Sequence, residues 1–244
     1  MKEGATSCAA MSHRRQMGGV LDVPVPTNKK DLEAGIDALK ESIREAAEKV
    51  MNESIPSKIG VLSELYAKCV TLRDAKAYIA ISPSTVTQSK DDGPVALNTA
   101  IGEINEQMKR EILIMVRDLS LLRVWLRLNQ PKIEDGNNFG VAVQEEILAM
   151  LNSGRVSGLA VLGLVSKYHF SRGKRLTQMR KHPNIQDYYN AARDMDEKQF
   201  INLCQSVYDL RTNYALLHDK ISKNKEKLLR PKGEDNGQGH MLMY

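Results

Sequence analysis

Asp135, Asn137, Gly140 and Glu146 stand at the first, third, sixth and twelfth places of a calcium-binding loop. Phe139 fills the fifth place, where an oxygen ligand belongs, so no metal is expected there. His13, His169, His182, His218 and His240 share no ligand spacing. Cys8, Cys69 and Cys204 are odd in number, far apart and outside any C-x-x-C pattern, which argues against a disulfide framework and against zinc. A reducing compartment fits them. Ser, Cys and His occur in no arrangement that sets a nucleophile beside a base, and no G-x-x-x-x-G-K-[ST] loop is present to hold a nucleotide. No catalytic residue, metal or cofactor is expected.

Two segments remain that suit contact with another protein. The first runs Pro131-Lys132-Ile133-Glu134-Asp135-Gly136-Asn137-Asn138-Phe139-Gly140. Gly136 and Gly140 permit positive φ, and Asn137 and Asn138 tolerate it better than most residues. Glu134 and Asp135 add carboxylates that can accept hydrogen bonds. Taken alone, a turn between helices explains the same residues. The second is the carboxyl end, where Leu242, Met243 and Tyr244 follow a polar, Gly-rich stretch that separates an apolar anchor from its scaffold.

Helices must position both. Thr27 or Asn28 can cap a first helix, in which Leu32, Ile36, Leu39, Ile43, Ala47 and Val50 recur at steps of three and four and predict one buried stripe. Pro56 interrupts this stripe before Ile59, Leu62, Leu65, Tyr66 and Cys69 resume it, which predicts a kink within one rod. Leu97, Ile101, Ile104, Met108, Ile112, Met115, Leu119, Leu122 and Leu126 form a second helix that is apolar on nearly every side around Ile112 to Val116. Val141 to Tyr168 carries a third, weakened by Gly154 and Gly158, and a basic stretch from Arg172 to His182 leads to a fourth through Leu203, Val207, Leu210, Tyr214, Leu217 and Ile221. The lysines and arginine that end it, Lys220 to Arg230, suit the negative end of a helix dipole. The expected organisation is a flexible tail over 1–29, an all-α four-helix bundle over 30–230 with a loop at 82–95 and another at 131–140, and a carboxyl-terminal tail over 231–244.

Composition narrows the classes. The net charge is +5, but 35 basic residues are interspersed with 30 acidic ones, so nucleic acid is not an expected partner. No stretch approaches the roughly 18 apolar residues of a membrane span, and the amino terminus lacks a signal-type apolar core. The expectation is a soluble intracellular protein with no membrane partner.

The run from Pro131 to Glu145 resembles the activation loop of the 11S regulator family of proteasome activators almost letter for letter. Ser166-Lys167-Tyr168 followed by Phe170-Ser171 and Arg172-Gly173, Pro231-Lys232-Gly233-Glu234, and the terminal Met243-Tyr244 agree with it in order and spacing, over roughly residues 30 to 244. The resemblance implies an elongated four-helix subunit, a ring of seven copies, and ATP-independent activation of the 20S core particle in cytoplasm or nucleus. It implies that Glu134, Asp135, Gly136, Asn137, Asn138, Phe139 and Gly140 meet the gate of the outer-ring alpha subunits. It also implies that Leu242, Met243 and Tyr244 dock on those subunits. The insert over 82–94 lacks the alternating Lys/Glu run of the vertebrate pattern, and the amino-terminal tail is longer, which leaves open whether the ring is homomeric. A helical scaffold or adaptor without gating is the alternative.

Overall fold

The computed structural model describes residues 29–79, 95–132, 136 and 138–232. All regular structure among them is helical: α1 (Lys29–Lys49), a wide π-type turn (Val50–Ser54), α2 (Ile55–Asp74), α3 (Thr99–Leu128), α4 (Phe139–Lys181), α5 (Gln186–Lys223) and the short α6 (Lys225–Leu229). The chain divides between Ser42 and Ile43 into two units. In the first unit, the described residues belong to α1, with Leu32 and Ile36 exposed and Lys40 Nζ 3.4 Å from Asp37. The buried stripe expected from Leu32 onward therefore begins only at Ile43, and Ala47 and Val50 continue it. Thr27 and Asn28, the expected caps, lie outside the described residues.

The second unit holds the bundle. Proline at position 56 has no N–H, and its ring crowds the carbonyl four residues earlier. The chain accommodates this by widening one turn, where Ile55 N–H donates to Val50 O. At the place where a kink is expected the helix carries this π turn, and α2 continues from it.

α2, α3, α4 and α5 alternate in direction. Ser54 of the π-type turn and Lys58 and Lys68 of α2 meet Asp118, Glu111 and Glu103 on α3 in descending order, and Tyr66 of α2 and Tyr78 just beyond it pair with Tyr208 and Phe200 on α5 in the same sense. Ile101, Ile104, Met108, Ile112, Leu122 and Leu126 from α3, Ile147 and Leu151 from α4, and Phe200, Leu203, Val207 and Tyr214 from α5 are all buried in the core. Each fully buried aliphatic side chain here contributes roughly 1.5–3 kcal/mol. Gly158, expected to weaken its helix, is a point of close approach, since a Cβ there would stand 2.5 Å from Met115 Cε and 3.2 Å from Ile112 Cγ2.

Helix bounds differ from the expectation in two places. α4 runs through the basic stretch to Lys181, because Arg172 is buried in an ion pair and Leu176 and Met179 pack with Ala192 under Val95, Tyr188 and Tyr189. α5 accordingly starts at Gln186, well before Leu203 where its clean apolar period begins, and breaks at Asn224 before α6.

Candidate functional site

At one end of the bundle α3 stops, α4 starts and α6 finishes, and a single buried side chain joins them. Asn129 caps α3, its N–H shared between Trp125 O at 3.2 Å and Leu126 O at 3.1 Å. One turn into α4, Gln144 is fully buried, and its Nε2 donates to Asn129 O at 3.3 Å and to Leu228 O at 2.9 Å. Both acceptors are carbonyls at helix ends, where intrahelical donors run out. Beside this contact Gly140 lies against the backbone of buried Pro231. A Cβ at 140 would stand 2.1 Å from Pro231 O and 2.6 Å from its Cα. Only glycine permits that approach. Leu228 is fully buried and anchors α6 below it.

Of the seven residues singled out between the second and third long helices, four are described. Gly136 has φ of 130°, a region that side chains other than glycine's rarely allow. Asn138 is exposed and caps α4 through its carbonyl, which accepts from Ala142 N–H at 3.0 Å. Phe139 and Gly140 already belong to the first turn of α4, and Phe139 is 66% exposed. Glu134, Asp135 and Asn137 lie outside the described residues, as do Leu242, Met243 and Tyr244 of the carboxyl-terminal tail. Glu146, the twelfth place of the calcium pattern, is paired with Lys220 of α5. No group of three or more His, Cys, Asp and Glu residues among the described ones is arranged to hold a metal.

At the opposite end lies a buried polar cluster. Asp196, 1% exposed, accepts from Arg172 Nε at 2.9 Å, from Tyr168 Oη at 3.0 Å and from Asn98 Nδ2 at 3.0 Å. Asn98 Nδ2 also reaches Tyr78 O at 2.8 Å, while its Oδ1 accepts from Ile101 N–H at 3.2 Å and so caps α3. Burial and the neighbouring Asp196 carboxylate push the Tyr168 hydroxyl well above the usual tyrosine range. Tyr168 and Arg172 were visible in sequence as parts of a motif, whereas Asp196 and Asn98 were not. An asparagine just ahead of an apolar helical stripe is a cap signal that would have found Asn98.

The segment that joins these two ends matches a known family. Residues 94–238 match the model of the carboxyl-terminal region of proteasome activator PA28. The chain belongs to the PA28 family. It is 35% identical over 144 residues to human proteasome activator complex subunit 3, an alignment that covers 59% of this chain and 57% of the relative, so the match spans little more than half of that protein's length. The crystal structure of the 11S subunit of the Plasmodium falciparum proteasome, PA28, superposes with a TM-score of 0.74 at 26% identity, over 85% of this chain and 97% of that one. A further structure, of the yeast 20S proteasome with the activator PA26 from Trypanosoma brucei, shares the fold with a TM-score of 0.64 at 15% identity, over 86% and 100% of the two chains.

In this PA28-family chain the α4 surface corrects one expectation. α4 is the one described helix long and apolar enough, by length and composition, to cross a membrane, and only 17% of its most apolar window is buried. Counting unbroken apolar runs misses this, because the scattered Gly and Ser residues barely offset the Val and Leu between them. Val156, Leu159 and Leu164 on α4 are exposed, as are Leu113 on α3 and Leu216 on α5.

Proposed function

We propose that this chain is an ATP-independent, non-catalytic activator of the 20S proteasome core particle, working as a ring, a homoheptamer, in cytoplasm, nucleus or both. The packing of Gly140 on Pro231 carries the reading, since the 131–140 loop and the carboxyl-terminal tail then leave the subunit from the same end. Two segments rooted together are suited to a single surface. Family membership and the fold shared with an activator bound to a yeast core particle support the same surface. The exposed apolar residues of α3, α4 and α5 are suited to burial against neighbouring copies in the ring.

In this reading Leu242, Met243 and Tyr244 enter pockets of the outer-ring alpha subunits. A lone tail of three residues binds with a dissociation constant on the order of 1 mM, about −4 kcal/mol. A ring of tails gains about 10² to 10⁴-fold by avidity. Glu134 to Gly140 then bind the open arrangement of the gate better than the closed one, which shifts a population without chemistry. The test is cleavage of small fluorogenic peptides by purified core particles with and without the chain. Stimulation is expected from the wild type, and Asn137→Tyr is expected to assemble and bind yet stimulate poorly. Full stimulation by that variant refutes the loop assignment. An unchanged rate with the wild type leaves the scaffold alternative.

A further inference from the structure

We infer that Gln144 and Gly140 form a coupling clamp, which makes tail docking and gate opening one mechanical event. This rests on the activator reading above. The Gln144 amide carries two N–H groups and directs them to carbonyls at the ends of two different helices, 3.3 Å to Asn129 O at the cap of α3 and 2.9 Å to Leu228 O in the last turn of α6. Both acceptors are main-chain carbonyls, so one buried side chain of α4 ties the backbones of two other helix ends together. Gly140, one helical turn earlier on the same face, holds α4 against the Pro231 carbonyl at a separation that no other residue allows. Proline's locked φ removes a degree of freedom at the point where the tail leaves. A shift of residues 228–231 therefore moves the start of α4 and the end of α3 with it, and these are the two ends from which the 131–140 loop is hung.

A tail seated in its pocket then pulls on the loop directly. Without the clamp, the ring stays tethered while its loops float relative to the tails. Gln144 is thus a positioning residue that touches neither core particle nor substrate. Glutamate, of the same shape, would replace both N–H donors by an acceptor oxygen facing two carbonyls.

The experiment uses full-length chains and purified core particles, and measures ring binding and saturating peptide hydrolysis separately. Gln144→Met keeps the volume and the helix preference but removes both bonds. Pro231→Gly frees the backbone against which Gly140 packs while leaving the loop residues and the Gln144 side chain unchanged. Both variants are expected to form rings by native mass and to bind core particles within about twofold of wild type, with saturating stimulation at least fivefold lower. Stimulation that falls only as far as binding falls, or that stays at the wild-type level, overturns the clamp. Failure of both variants to assemble overturns it as well, because the two residues would then belong to the scaffold. The wild-type arm reports on the activator function itself, so a wild type that binds and stimulates beside indifferent variants refutes the clamp alone.

Discussion

Replacing Asp196 by alanine removes the acceptor of three buried donors at once. Arg172, with 7% of its side chain exposed, is left as a buried charge, and the Tyr168 hydroxyl and one Asn98 N–H lose a partner. Breaking a buried ion pair from one side costs about 3–5 kcal/mol, and each orphaned neutral donor adds roughly 1–3 kcal/mol, less where water enters. Asn98 keeps its bond to Tyr78 O, which limits its share. The expected loss is about 4–6 kcal/mol, a large part of the total stability of a domain. Asp196→Asn keeps the shape and accepts from one donor at least, so its loss should be about half as large. Urea denaturation followed by circular dichroism reads both. With a slope near 3 kcal/mol per molar, the alanine midpoint falls by about 1.3–2 M, at fixed protein concentration because assembly adds to stability. A midpoint within 0.3 M of wild type, on the order of 1 kcal/mol, would show that the cluster is solvated and that the reasoning from burial is wrong.

Tyr214 is buried and its hydroxyl finds no hydrogen-bond partner among the described residues, so Tyr214→Phe should stabilise the chain by about 1 kcal/mol, and a loss of similar size in thermal melts would refute this. Burial and the nearby carboxylates of Asp118 and Glu111 hold its pKa above the usual value, as burial does for Tyr168. The folded state thus keeps protons that the unfolded state releases. Stability should be full below about pH 10 and fall as pH rises beyond it, more steeply in the wild type than in Tyr214→Phe. The free thiols of Cys69, buried, and Cys204, half-buried, interact. That interaction lowers the Cys204 pKa and raises the Cys69 pKa, and burial raises Cys69 further. Mass-spectrometric mapping of limited alkylation should find Cys204 modified first, and equal rates would refute the polarised pair.

Periodicity located the helical stripes because the buried residues Ile101 to Leu126 and Leu203 to Ile221 that it singled out in α3 and α5 follow one another at steps of three or four. It lost α4 beyond Tyr168, where Arg172 and Arg175 interrupt the apolar count although Asp196 of the next helix buries the first of them. It overextended the first stripe, since Leu32 and Ile36 have the right spacing but stay exposed. Spacing records a capacity to be buried, and a partner decides whether it is used. The loop was legible as Gly and Asn in a helical connection, and Gly136 at φ of 130° has the conformation that its composition suggested. Gln144 was not legible. Its partners are main-chain carbonyls 15 and 84 residues away, and a backbone oxygen leaves no mark in sequence. The same holds for Gly140, whose need for a missing side chain comes from Pro231 across the fold.

The central claim is that rings of this chain seat on the ends of a core particle through tails and loops rooted together. Native mass measurement of the purified chain, alone and mixed with core particles, tests it most directly. The account predicts an assembly of seven 27.3 kDa copies, about 191 kDa, that adds whole to one or both ends of the cylinder and fails to add once Leu242, Met243 and Tyr244 are deleted. A chain that stays at the mass of one copy, beside a cylinder of unchanged mass, would contradict it.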